Sequence, residues 1–541
     1  MKAAVKNAII AVLLLFFVYG FFFPRLPVVN ADELWETSRG YYMKTHLKSG
    51  EPLLPYAVAP FYAAIEHMEW KGWFILTIKS GSLAAMMYLL PVDELIAMRY
   101  AIFLWSLLAI LFTYLVARQF LLDKWYSLLA VAILIAIPDF FSQIHRERSE
   151  VMICACLMAG IYFFNKIMKI PDEKKKTLSL FFIGIIAWLP SFLIHPSSIV
   201  IPGVLGIVYL INKKKDLFTA QTLLFGIGLI IGASFFIYIM NEIKEYAVAA
   251  GGGNYFQYQG PPMFVKGWKY VISIPYAFYN KFMVSNILSR PVSFLVFVFG
   301  FILFFLQIRG KTKVISDPTN FITTGVAIFF SLTILYLLSG SFGNYNVIVS
   351  PFIAILIASF FSLKEQSEQS NNKKPVLLLS FLLMVFTTNA LGIKEDVKMA
   401  KEYTRITSYA RSKIDDHSPV LGLALYYNPF KDQPYYSNSW FNPYGGRPDQ
   451  SFEDAVKALK VKYVIIDDAF VGRALLDRGR PWTDSMFTYL KLNGEVVDEI
   501  EANYFVGNRV PDPEFYSEDW RFKEQKKKYI RRIRIVEITN N

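Results

Sequence analysis

Two carboxylates side by side, Asp32 and Glu33, follow the first apolar run in the stretch "VVNADELWETSRGYYM". A carboxylate held beside a lipid–water boundary is suited to proton abstraction from a hydroxyl or amine. The same pair also fits a helix N-terminus, where acids complement the macrodipole. A second charged stretch, "SQIHRERSEVM" at 142–152, places Arg146, Glu147, Arg148 and Glu150 together before another apolar run. On a helix Arg146 and Glu150 are spaced i, i+4 and can neutralise each other. Alternatively, arginine forks at a helix N-terminus suit a phosphate. Arg148 lies two residues from both, so it points elsewhere on a helix and one pocket need not use all of them. His195, in "FLIHPSS", is either an interfacial polar group at the end of an apolar run or part of the same chemistry.

Other chemistries leave no trace. Cys154 and Cys156 are the sole cysteines and lie two apart within one apolar run; residues at that spacing face different sides of a helix, which excludes a disulfide or metal pair. His46 and His67 are too far apart for a metal motif, and no HExxH, paired CxxC or phosphate-cradling glycine signature occurs.

The elements that must position these residues are apolar. The 541 residues are 54% hydrophobic and 18% charged, with a mean hydropathy of +0.36. Soluble domains are less apolar and more charged. Runs near 7–24, 99–118, 125–143, 150–166, 177–194, 197–212, 220–240, 292–308, 320–339, 346–362 and 375–392 approach the length that crosses a bilayer. The sequence therefore predicts a polytopic α-helical membrane protein with about eleven spans. Run 8–23, with Lys2 and Lys6 before it, shares features with a secretory signal, but it is long, bulky and followed by Pro24, Arg25 and Pro27. An uncleaved first span is expected.

The formal charge of +13 is concentrated in loops. With the N-terminus inside, the inner segments hold Lys2 and Lys6; Arg118 and Lys124; Lys166, Lys169 and Lys174 to Lys176; Lys213 to Lys215; Arg309, Lys311 and Lys313; and Lys364, Lys373 and Lys374. The short outer loops at 195–196 and 340–345 hold no Lys or Arg. This is the positive-inside pattern, and the 142–152 loop is its exception. The basic charge thus belongs to membrane topology, and no nucleic-acid partner is expected. An odd number of spans puts the C-terminus outside.

The sequence accordingly divides into a transmembrane domain at 1–392, with large outer loops at 25–98 and 241–291, and a small soluble α/β domain at 393–541. In the tail "VLGLALYY", "VKYVIIDD" and "YIRRIRIVEI" read as strands. "VKMAKEYTRITSYARSKI" and "SFEDAVKAL" read as helices. The loop "GGGNYFQYQGPP" reads as mobile from its glycines and prolines.

Taken in order, these pieces resemble the GT-C class of integral-membrane glycosyltransferases. The nearest group is that of the dolichyl-phosphate-mannose protein mannosyltransferases and aminoarabinose transferases. The matching pieces are "ADE" after the first run, "GSLAAMMYLLP" and "MRY" before the second, "ERSE" opening the fourth, and "NYNVIVSPF" entering a late run. The resemblance implies that Asp32 orients or deprotonates the acceptor nucleophile, with Glu33 in support. It implies that Arg148 meets the lipid-phosphate leaving group and that Glu150 orients it or the acceptor. Arg146 and His195 are weaker phosphate or sugar contacts. Tyr345 matches a late-loop position that an arginine often precedes in the family; here Asn344 stands instead, which removes that charge.

The implied function is transfer of a sugar from a polyprenyl-phosphate donor to a lipid, glycan or protein acceptor, in an integral membrane protein of the bacterial inner membrane with its active site on the extracytoplasmic side. Membrane lipids are the other expected partners. No cofactor is expected, and a divalent metal requirement stays open because family members differ. A lipid-linked glycan polymerase or ligase, a lipid or sugar transporter and a non-catalytic assembly subunit are the alternatives. A transporter tends to carry charges at mid-membrane and inverted repeats; here the charges lie at the ends of the runs.

Overall fold

The structure is a computed structural model that describes residues 3–23, 86, 89–121, 123–144, 149–213, 218–249, 291–308, 317–339, 346–362 and 373–415, and in the tail 417–423, 426, 428–430, 432–437, 441, 450–467, 481–502 and 531–539. The chain groups into two compact units. One comprises Met1–Phe23, Arg99–Met240 and Pro261–Gly392; the other comprises Pro24–Met98, Asn241–Gly260 and Ile393–Asn541.

The first unit is helical. Its elements are α1 (Ala3–Phe22), α2 (Glu94–Phe120, which begins in the second unit), α3 (Lys124–Ala136), α4 (Pro138–Phe141), α5 (Ser149–Met168), α6 (Glu173–Ile186), α7 (Leu189–Leu193), a 3-10 turn (Pro196–Ile199) and α8 (Val200–Asn212). They continue with α9 (Ala220–Ala249, which passes into the second unit after Met240), α10 (Pro291–Ile308), α11 (Pro318–Ser339), α12 (Asn346–Ser362) and α13 (Lys373–Lys413, which passes into the second unit after Gly392). The described residues of the eleven apolar runs lie on these helices or in the short breaks between them. Among the described residues Leu95–Phe120, Ser149–Met168 and Ala220–Ile239 are long and apolar enough by length and composition to cross a membrane.

Four boundaries differ from those read in the sequence, each for a local reason. α2 starts at Glu94 rather than 99, because Asp93 caps it by accepting the Leu95 N–H at 3.0 Å. The run 125–143 breaks at Ile137, since Pro138 has no N–H to continue the ladder. The run 177–194 breaks at Ala187–Trp188, before Pro190, and restarts as the short α7. In contrast, the run 375–392 and the helix expected after it are one continuous α13.

α12 is the centre of this unit. It packs against α3, α4, α5, α10 and α11, and nearly every residue from Val347 to Ala358 is buried. α6 and α9 approach backbone to backbone through glycines. A Cβ on Gly228 would lie 2.3 Å from the Phe181 carbonyl oxygen, so no larger residue fits there. Gly184 faces the same crossing, its Cβ position 3.0 Å from the Leu229 nitrogen. Small residues are the usual means of close helix approach in lipid, where apolar packing offers no solvent advantage.

The opposite ends of several helices are joined by side-chain amides. Asn212 of α8 donates to Asn320 of α11 at 3.1 Å, and Asn320 donates to Asn165 of α5 at 3.2 Å. Asn165 then donates to Gln119 of α2 at 3.0 Å, and Gln119 donates to the Tyr162 carbonyl at 3.1 Å. Asn320, Asn165 and Gln119 each accept through the amide oxygen while donating through the nitrogen, an arrangement in which successive bonds polarise one another.

The described tail of the second unit holds β1 (Val420–Gly422), β2 (Tyr435–Ser437), α14 (Phe452–Ala458), β3 (Tyr463–Asp467), α15 (Pro481–Asn493), β4 (Gly494–Ala502) and β5 (Arg531–Ile538). The strands form a mixed sheet in the order β2-β1-β3-β5-β4. β1 runs parallel to β2 and β3, and β5 runs antiparallel to β3 and β4. Phe452, Val456, Trp482 and Met486 of α14 and α15 bury against Val464 and Val536 of the sheet. Ser451 starts α14 by accepting the Asp454 N–H at 3.0 Å. The segments read as strands correspond to β1, β3 and β5; among the described residues of "VLGLALYY", Val420–Gly422 are the extended ones.

Candidate functional site

The amide series fixes which helix ends lie together. α5 and α8 both finish in it, and α11 starts from it through Asn320. The beginnings of α5 and α8, and the end of α11, therefore share the other end of the first unit. Glu150 sits in the first turn of α5, and His195 immediately precedes the 3-10 turn that leads into α8. The structure thus brings Glu150 and His195 to one end of the helical unit. Asp32, Glu33, Arg146, Arg148 and Tyr345 lie outside the described residues. Arg148 is two residues before Glu150 in the chain, and Tyr345 directly precedes α12.

Glu150 and the preceding Ser149 are buried, at 9% and 7% exposure. The position follows from sequence. Glu150 opens an apolar helix, where backbone N–H groups lacking intrahelical partners favour a negative side chain.

His195 has an extended backbone, and its Nδ1 accepts the Ser197 N–H at 3.1 Å. That bond sets the tautomer: with Nδ1 accepting, the ring proton of the neutral imidazole sits on Nε2. His195 therefore presents a donor, which suits a phosphate or sugar oxygen better than it suits base catalysis. Close in sequence, Trp188 Nε1, Ser191 Oγ and Ser198 Oγ are buried polar atoms with no hydrogen-bond partner among the described residues.

The same end contains a polar junction that the sequence analysis missed. Asp139, 1% exposed in α4, accepts a hydrogen bond from Asn346 Nδ2 of α12 at 3.3 Å. A carboxylate can only accept, so the orientation of the Asn346 amide is determined by chemistry. Three residues earlier, the Ala136 carbonyl at the end of α3 accepts from Asn389 of α13 at 3.0 Å. Ser106 of α2 reaches the Ile144 carbonyl at 3.4 Å. The chain from Ala136 to Ile144 is thus held from α2, α12 and α13. The available signal was Pro138, which marks a break, followed at once by an acid inside an otherwise apolar run.

Among the described residues no group of three or more His, Cys, Asp or Glu side chains is arranged to hold a metal ion.

The family profile of dolichyl-phosphate-mannose-protein mannosyltransferase matches residues 82–187, which include α5 and the stretch before it. The fold is similar to that of ArnT from Cupriavidus metallidurans bound to undecaprenyl phosphate, with a TM-score of 0.51 and 13% identity over 91% of this chain and 96% of that one. The apo state of the same ArnT gives a TM-score of 0.49 and 14% identity over 87% and 95% of the two chains. A sequence comparison with curated proteins gives no match. The expected likeness to the protein mannosyltransferase and ArnT-like group of GT-C glycosyltransferases is borne out, in sequence over 82–187 and in fold over most of the chain.

Proposed function

We propose that this chain, which folds as ArnT does, is an integral-membrane glycosyltransferase moving a sugar from a polyprenyl-phosphate donor to a lipid, glycan or protein acceptor at the outer face of the membrane. The gathering of an acid and an imidazole donor, Glu150 and His195, at the end of the unit where α5 and α8 begin carries the reading. In the similar fold of ArnT the bound molecule is undecaprenyl phosphate. About eleven spans, an inner N-terminus and an outer C-terminus complete the arrangement, with the site on the extracytoplasmic side of a bacterial inner membrane.

The chemistry follows from residue types. The lipid anchors the donor with its phosphate at the surface, and Arg148 and Arg146 neutralise that phosphate, which improves it as a leaving group. Asp32 accepts the proton of an acceptor hydroxyl or amine as the acceptor attacks the anomeric carbon. The bond from that carbon to the phosphate oxygen breaks, and polyprenyl phosphate departs with the electron pair. Glu33 supports Asp32, and Glu150 orients the acceptor or the phosphate. His195 and Tyr345 contact sugar or phosphate oxygens. No cofactor takes part in these steps.

The test is purified protein supplied with a panel of polyprenyl-phosphate sugars and candidate acceptors, with released polyprenyl phosphate measured. Acceptor-dependent release with at least one donor is expected. Movement of intact donor across a bilayer without release would instead identify a transporter and overturn the reading.

A further inference from the structure

We infer that the stretch from Trp188 to Ser198, which includes α7 and most of the 3-10 turn, is the subsite that holds the hydroxyl-rich ring of the lipid-linked sugar. The inference rests on the functional reading above and adds to it the side chains that recognise that ring, Trp188, Ser191 and Ser198.

Backbone and side chains differ here in how they are satisfied. The Ser191 N–H donates to the Trp188 carbonyl at 2.9 Å, and the Ile194 and His195 N–H groups donate to the Pro190 carbonyl at 3.0 and 3.1 Å. The Ser198 N–H donates to the His195 carbonyl at 2.9 Å. α7 and the 3-10 turn also pack against each other. In contrast, Trp188 Nε1, Ser191 Oγ and Ser198 Oγ are buried without a hydrogen-bond partner, and both serines are at 0% exposure. Leaving such atoms unpaired costs stability that alanine or phenylalanine would not. Three of them in one short stretch point to a partner that arrives from outside the chain. The stretch lies at the same end of the helical unit as Glu150.

The chemistry of the set selects that partner. "WLPSFLIHPSS" contains no Lys, Arg, Asp or Glu. A phosphate buried there would find no counter-ion in the stretch, so a neutral group suits it. An indole N–H only donates, while a serine hydroxyl both donates and accepts. A sugar ring offers the matching pattern, hydroxyls that accept from the indole and exchange bonds with the serines. The indole is firmly seated. A Cβ on Gly232 of α9 would lie 2.5 Å from Trp188 Cδ1, the carbon bonded to Nε1, and Phe236 of the same helix packs on the ring with centroids 5.6 Å apart. Trp188, Pro190 and His195 are half-buried, so the stretch reaches the surface. Pro190 has no N–H to continue the α6 ladder, which leaves α7 a separate five-residue element able to shift as the ring enters.

The experiment measures binding of the panel of polyprenyl-phosphate sugars, and of bare polyprenyl phosphate, to wild type, Trp188→Phe and Ser191→Ala/Ser198→Ala. The ligand-free Tm of each is taken in the same detergent. Loss of two neutral hydrogen bonds should weaken the sugar-linked lipid about 10-fold or more in the serine double variant, and loss of one about 3-fold or more in Trp188→Phe. Bare polyprenyl phosphate should bind all three proteins within about 2-fold of one another, because none of its bonds is lost. The ligand-free Tm of the serine double variant should stay at or above that of wild type, since the substitutions remove unbonded buried hydroxyls.

A serine double variant with a lower Tm and unchanged binding of every sugar-linked lipid would show the hydroxyls to be structural and would overturn the inference. So would a wild type that binds sugar-linked and bare lipid alike, or equal weakening of both lipids in the variants, which puts the contact at the phosphate. A change confined to the KM of a glycan acceptor also overturns it, because the ring held there would be the acceptor's. Sugar-linked lipids that bind, and bind more weakly to the variants, but release no polyprenyl phosphate with any acceptor are a different result: the transferase reading falls and the sugar subsite stands.

Discussion

At the residue scale, a side chain's surroundings decide what it can do more than its type does. His195 illustrates this: the Ser197 N–H occupies Nδ1, so the ring acts as a donor. Asp498 in the tail gives a pH-dependent case. It accepts from the Tyr409 hydroxyl, pairs with Lys413 at 2.9 Å and accepts the Glu499 N–H at 2.8 Å. These contacts, the tyrosine bond foremost, hold its carboxyl down at about 2. A carboxylate with a depressed folded pKa adds stability at pH values above its unfolded value of about 3.9. That stability disappears as pH falls toward about 2. On the alkaline side, the bond to Asp498 raises the Lys413 pKa, so the lysine's share is lost only as pH rises through that elevated value. Asp498→Asn should therefore lower the Tm of the tail at pH 6 and match wild type near pH 2. Equal melting temperatures at pH 6 would show that the cluster contributes nothing.

At the element scale, helices were legible where apolar periodicity and length agreed, and strands where β-branched residues clustered, as in "VKYVIIDD" and "YIRRIRIVEI". β4 was not, because "GEVVDEIEA" sets four acids among two valines and an isoleucine without a regular period on an exposed edge, and carries a shift in register between Val496 and Asp498. The run 125–143 read as unbroken because its composition stays apolar across Pro138. Asn389 from α13 satisfies the carbonyl end of α3 there, and no local pattern encodes a partner so far away in sequence. The amide series was invisible for the same reason: its members lie singly on four helices. It also supplies this scale's prediction. Asn165→Leu removes two of the bonds and leaves partners on α2 and α11 unsatisfied. Unfolding in mixed micelles should become easier by about 1–2 kcal/mol. Wild-type stability in this variant would mean that packing alone orders those four helices.

At the scale of the whole molecule, sidedness follows from where the Lys and Arg side chains lie, and the proposed function depends on it. The structure fixes only relative ends: Glu150, His195 and the Asp139–Asn346 pair share one end of the first unit, and the amide series marks the other. In the proposed orientation the basic loops put the amide end on the inside. A cysteine in place of Gln450, in an otherwise cysteine-free variant, should accordingly react with a membrane-impermeant maleimide on intact cells. Labelling only after permeabilisation would reverse the assignment and put the proposed site on the wrong face. The candidate site was legible as a set of charged stretches at the ends of apolar runs. The buried Asp139–Asn346 junction became visible only through a contact between distant segments.

In the proposed mechanism Asp32 drives transfer from a polyprenyl-phosphate sugar. The most direct measurement is the single-turnover rate of acceptor-dependent polyprenyl-phosphate release by wild type and Asp32→Asn at saturating donor. The substitution preserves size and removes the base, so a loss of about 10²-fold or more is expected, in the range of general-base contributions, with donor binding retained. Release by Asp32→Asn at the wild-type rate would contradict the account.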